Sequence, residues 1–227
     1  MNSTVVPPFV IAVDGPSGSG KSSTARGVAQ RLGLAYLDTG AMYRAITWAL
    51  LERGVDLHDT EAVAKAAREV VLRSGTDPLS PSIVADGVDV SGPIRGSDVT
   101  SNVSIVAAVP EVRTLMVQAQ REAIGNSPDG IVVEGRDIGT TVAPDAAVKV
   151  YLIADADARA RRRASEQGHE DADATQAALA RRDHLDSSRA ASPLSKASDA
   201  LLIDGTDLTL DEVIDAVVAV VEEARGR

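Results

Sequence analysis

Residues 15–22, Gly15-Pro16-Ser17-Gly18-Ser19-Gly20-Lys21-Ser22, fit the spacing G-x-x-x-x-G-K-[ST]. An apolar run over 9–13 precedes them and a helical alternation over 21–32 follows, the strand and helix between which this spacing has meaning. The glycines let successive backbone N–H groups turn inward around an anion, and the positive end of the following helix adds to the field. Lys21 is then placed to reach the β- and γ-oxygens of a bound nucleoside triphosphate, and the Ser22 hydroxyl to ligate Mg2+. Ser23 offers one more hydroxyl. A glycine-rich turn that merely caps a helix would account for the glycines but not for the lysine. The loop thus predicts ATP and Mg2+ as donor and ion.

A second set of anion-binding types sits at the ends of other strand candidates. Asp38-Thr39-Gly40-Ala41-Met42-Tyr43-Arg44 follows an apolar stretch over 34–37, and Glu134-Gly135-Arg136-Asp137 follows one over 131–133. Thr39, Arg44, Arg136 and Asp137 are therefore expected on one crevice with the loop. Arg182, Asp186 and Arg189 fall at i, i+4, i+7, one face of a helix, although an intrahelical salt bridge would produce the same spacing. Arg159, Arg162 and Arg163 share a face at i, i+3, i+4; three like charges there weaken a helix unless an anion visits, and a triphosphate would serve. Residues 166–173 read as a mobile loop, so 157–173 is expected to act as a closing lid. A guanine-recognising Asn/Thr-Lys-x-Asp element is absent around all four lysines, which argues against a GTPase switch.

Strand, turn and helix signals must position these groups. The order from the N-terminus is βαβαα, with helices expected over 41–53 and from the capping residues Asp59 or Thr60 to about 74. Asp86-Gly87 between apolar residues marks a hairpin inside a β-rich insertion over 75–96. Helices over 97–108 and 110–124 follow, and Pro110 suits a first turn. Apolar runs at 131–133, 148–153 and 201–203 read as buried parallel strands. The last helix is marked by a Thr209/Glu212 capping box and a stripe of Leu210, Val213, Ile214, Val217, Val218 and Val221. Strands alternating with helices predict an α/β fold, a parallel sheet flanked by helices in one domain over 1–227.

The 227 residues are 44% hydrophobic and 25% charged, ordinary globular proportions that allow one sizeable core. With no cysteine, disulfides, thiolate metal ligands and a cysteine nucleophile are excluded. A net charge of −10 argues against extended nucleic acid as a partner. No export signal or membrane segment is expected, and a cytoplasmic, monomeric protein is.

Taken in order, Asp14-Gly15-Pro16-Ser17-Gly18-Ser19-Gly20-Lys21, Leu37-Asp38-Thr39-Gly40-Ala41-Met42-Tyr43-Arg44, Val90-Ser91-Gly92-Pro93-Ile94-Arg95, Glu134-Gly135-Arg136-Asp137-Ile138-Gly139-Thr140 and Arg182-Asp183 resemble bacterial cytidylate kinase. The resemblance runs from about residue 10 to the last helix and includes that family's β-rich insertion. It implies γ-phosphoryl transfer from ATP to CMP or dCMP. It further implies that Thr39, Arg44, Arg136, Arg182 and Arg189 hold the acceptor phosphate, that Ser104, Arg113 and Asp137 contact cytosine, and that Asp186 contacts the sugar. Arg159, Arg162 and Arg163 match the family's lid arginines. Thr39 stands where many members carry serine, and Ser22-Ser23 where Gly-Thr is common. The rival readings are a P-loop kinase for UMP, AMP or a non-nucleotide acid, and a nucleotide-binding regulatory module without turnover.

Overall fold

The computed structural model describes residues 8–167, 172–189 and 191–226. The first half runs β1 (Val10–Asp14), α1 (Lys21–Leu32), β2 (Ala35–Asp38), α2 (Thr39–Glu52), α3 (Thr60–Ala67), β3 (Leu72–Ser74), β4 (Ile83–Ala85) and β5 (Val88–Asp89). It continues with α4 (Ser97–Ala108), α5 (Pro110–Gly125), β6 (Ile131–Gly135), β7 (Val148–Ile153), α6 (Ala156–Gln167), α7 (Ala172–Ser188), β8 (Leu201–Asp204) and α8 (Leu210–Arg225). A single π-helical turn, Ile138–Val142, follows β6.

The main sheet has the order β2-β6-β1-β7-β8, and every pairing in it is parallel. All five residues of β1 are buried because helices cover both faces of the sheet. Val10 and Ala12 join the core beneath α2, α4 and α5, whereas Ile11 and Val13 join the one beneath α1 and α8. Val213, Ile214, Val217, Val218 and Val221 from α8 fill that second core as their spacing predicts, and the Thr209/Glu212 capping box forms. Asp14 lies opposite Gly135, and Asp38 opposite Glu134. The three strands therefore end level, and the loops that leave them open onto one edge.

The insertion folds as an antiparallel sheet, β3-β4-β5, whose turn carries Asp86 at φ 51 and Gly87 at φ 84. It starts earlier than expected. The helix predicted over 60–74 stops at Ala67, and Leu72–Ser74 pairs instead with Ile83–Ala85. Val70 and Val71 favour extended backbone, and the Asp86 carboxylate accepts the Val71 N–H at 2.9 Å, a partner that local sequence does not reveal. The α2 helix begins at Thr39, two residues before its expected start, because the Asp38 side chain caps it by accepting from the Ala41 N–H. The loop expected over 166–173 is helical at both ends, through Gln167 and again from Ala172, and its middle, 168–171, lies outside the described residues. No helix among the described residues is long and apolar enough to cross a membrane.

Candidate active site

Gly20 precedes α1 in the left-handed conformation, φ 90, and no side chain caps the helix. Its first-turn N–H groups are thus left for an anion, in the way the loop's letters require. Gly18 has φ +75, and a Cβ there would lie 3.0 Å from the carbonyl oxygen of Arg159, so α6 rests directly on the loop. The Lys21 ammonium is buried and donates to the Pro16 carbonyl at 2.8 Å. Burial, with Arg136 nearby, lowers its pKa.

Beside it Glu134 is buried at the end of β6, where desolvation raises its pKa while the Tyr36 hydroxyl donates to Oε1 at 2.8 Å. The neighbouring Ser22 hydroxyl favours the charged form of this carboxyl. Two hard oxygen donors beside a phosphate loop suit Mg2+, which needs few protein ligands when nucleotide and water supply the rest. Among the described residues no group of three or more His, Cys, Asp or Glu forms a dedicated cage.

Across the crevice some of the predicted acceptor residues gather on two buried carboxylates, Asp186 and Asp137. Asp186 receives Arg136 Nε at 2.9 Å and the Ser104 hydroxyl at 3.3 Å, and Arg189 Nη1 lies 3.7 Å from it. Those cations hold its carboxyl below the usual range against the effect of burial. Asp137 is paired with Arg113, whose guanidinium also lies 5.5 Å from the Tyr43 ring centroid. Arg136 reaches further, donating to the Gly15 carbonyl at 2.6 Å and to the Ser17 hydroxyl. It therefore joins the donor loop to the acceptor residues. Thr39 donates to the Glu134 carbonyl at 2.7 Å, locking α2 to β6.

Arg44 bonds the Ile94 carbonyl and the Thr100 hydroxyl, at 3.0 and 2.9 Å. Burial, with Arg182 and Arg163 as like-charged neighbours, opposes its charge; burial and Arg136 do the same to Arg182. A guanidinium stays protonated regardless, so like charges gather here at a cost that an anionic ligand would relieve. Of the eight buried side-chain polar atoms without a partner among the described residues, five belong to the predicted site: Ser19 Oγ and arginine nitrogens of Arg113, Arg159, Arg182 and Arg189. Their concentration there points to a polar ligand that is anionic where the arginines gather.

The lid arginines differ from expectation in one respect. Arg159 already has an anionic partner, Asp183, and donates to the Ser17 carbonyl at 3.0 Å. Arg162 donates to the Ser19 carbonyl at 3.3 Å and to those of Gly205 and Leu208. Like-charge repulsion along α6 is thus relieved partly within the protein. Arg189 falls just past the end of α7 yet still reaches Asp186, so a local ion pair forms across the helix end.

Three residues in the quoted motifs escaped assignment from sequence. Glu134 could have been found as an acid ending a strand beside the loop strand, the usual place for a metal-site carboxylate in P-loop proteins. Asp14 accepts the Ile138 and Gly139 N–H groups at 2.9 and 2.8 Å, fixing the turn behind Arg136 and Asp137, with its own pKa pushed up to about 6 mainly by burial. Asp183 gave no signal beyond its place after Arg182.

A parallel sheet of this order, a phosphate loop after its central strand and an arginine cluster facing that loop define a P-loop phosphotransferase of the nucleoside monophosphate kinase type. Within that class, residues 11–223 match the family described as Cytidylate kinase, and the chain belongs to that family. It is 57% identical to the cytidylate kinase of Streptomyces coelicolor over 97% of this chain and 95% of that one. Identity to the cytidylate kinase of Streptomyces avermitilis is 54%, covering 97% of this chain and 96% of the relative.

Proposed function

We propose that this protein transfers the γ-phosphoryl group of ATP to CMP or dCMP, giving ADP and CDP or dCDP. The observation that carries this reading is the bridge made by Arg136, which touches the donor loop at Gly15 and Ser17 and the acceptor face at Asp186. Lys21, Ser17, Gly18, Ser19 and Gly20 hold the triphosphate, with Gly15 and Pro16 shaping the loop and Ser23 beside its end. Ser22 and Glu134 would hold Mg2+, which would supply positive charge to offset that of the phosphates. Thr39, Arg44, Arg136, Arg182 and Arg189 take the acceptor phosphate, Ser104 joins Arg113 and Asp137 at cytosine, and Asp186 orients the sugar.

Asp137, paired with Arg113, accepts from the cytosine N4 amino group and repels the O4 carbonyl that uracil carries in its place. The acceptor oxygen is already anionic, so transfer is in line and requires no general base. Catalysis comes from alignment and from cations around the equatorial oxygens, with Lys21, Arg159, Arg162 and Arg163 supplying the protein's share. Closure of the segment from 157 excludes water, which would otherwise take the phosphoryl group. We place the protein in the cytoplasm as a monomer.

The reading is tested by following ATP and CMP with phosphorus NMR. Stoichiometric CDP and ADP, with little inorganic phosphate, is the expected result. ATP binding without CMP-dependent ADP formation would instead mark a regulatory module.

A further inference from the structure

Asp183 lies where the donor loop and the acceptor helix meet, yet the proposed transfer leaves it without a task. It sits on α7 between Arg182 and Asp186, and its two carboxylate oxygens are divided between partners. Oδ1 accepts the backbone N–H of Ser17 at 2.9 Å, and Oδ2 pairs with the Arg159 guanidinium. Arg159 in turn donates to the Ser17 carbonyl at 3.0 Å, which closes a ring of three residues around the loop's outer turn. Side-chain exposures of 15% for Arg159 and 17% for Asp183 leave this ring mostly screened from water. The Asp183 charge also acts on Lys21. One carboxylate thus occupies a backbone N–H of the loop and a lid cation, two groups able to bond phosphate oxygens.

We infer that Asp183 is a positioning residue that acts as an internal counter-anion of the donor loop, which the triphosphate must displace from the Ser17 N–H and from Arg159 in order to bind. The inference rests on the donor reading of the loop. Its consequence is that ATP entry moves α7, and with it Arg182 and Asp186 on the acceptor face. Donor and acceptor sites are coupled through this one side chain. An anion held in place of phosphate also keeps Arg159 on the loop until the nucleotide arrives.

The test is nucleotide binding to Asp183→Asn, which keeps the shape and an acceptor oxygen for Ser17 but removes the charge. Calorimetric titration with ATP in the absence of acceptor should show roughly tenfold tighter binding, the scale of one charge-assisted hydrogen bond no longer in competition. Asp183→Glu should restore ATP binding close to wild type, because it keeps the charge. Unchanged or weaker ATP binding by Asp183→Asn, with an unaltered thermal unfolding temperature, would overturn the inference. If Asp183→Asn does not fold, Asp183→Ser carries the same comparison. Because binding is read without turnover, a wild-type protein that binds ATP but forms no CDP would defeat the proposed activity and leave this result standing.

Discussion

Replacing Asp137 with alanine is predicted to unsettle the fold as well as base choice. Its partner Arg113 has only 4% of its side chain exposed, and the Asp137 side chain itself 7%. Removing one member of so buried a pair leaves the other charge uncompensated, at about 3–5 kcal/mol. For a chain of this size each kcal/mol lowers the unfolding temperature by about 2–4 °C, so Asp137→Ala should lose about 6–20 °C. Removing both charges, as in Arg113→Met with Asp137→Leu, should recover most of that loss, because no buried charge is left alone. Scanning calorimetry of Asp137→Leu, Arg113→Met and the double variant reads the cycle directly. A single-variant shift below about 2 °C, or additive losses, would refute the buried-pair reasoning. Asp137→Asn is the cleaner probe of specificity. Its ratio of CMP to UMP turnover should fall by roughly 5- to 150-fold, the range expected when one base-reading contact is lost.

Lys21→Ala should reduce kcat by orders of magnitude while thermal unfolding stays near wild type, and near-normal turnover would remove the loop from the mechanism. Asp14 offers a pH test, since its pKa is raised from 3.8 to about 6. A raised folded-state pKa means the native state binds the proton more tightly. The contribution is complete below pH 3.8 and is lost as pH rises through about 6. Relative to Asp14→Asn, wild type should therefore lose about 3 kcal/mol of stability over that interval, measured by denaturant unfolding at several pH values. A constant difference between the two would mean that Asp14 does not titrate in the folded protein.

Much of this architecture was legible because it is written locally. The capping box and apolar stripe of α8, the Asp86-Gly87 hairpin and the strand-loop-helix around Lys21 each lie within a short window, and each formed. What escaped depends on distant partners. Val71 leaves the helical path because Asp86, fifteen residues away, accepts its N–H. Asp14 acquires its role only when β1 and β6 align and bring Ile138 and Gly139 to it. The same holds for Asp183. Spacing along α6 showed three arginines in need of an anion, but only the packing of α6 against α7 shows that one of them already has a carboxylate. Sequence spacing grouped the arginines by helix face and strand end, and it could not foresee which of their charges the protein balances itself.

The most direct test of the account is coupled ADP release with Mg2+ and ATP against CMP, dCMP, UMP, AMP and GMP in parallel. Strong turnover with CMP and dCMP alone is the predicted result. Preference for UMP or a purine monophosphate would contradict the assignment of Asp137 and Arg113 to cytosine, and silence on all five would contradict the kinase itself.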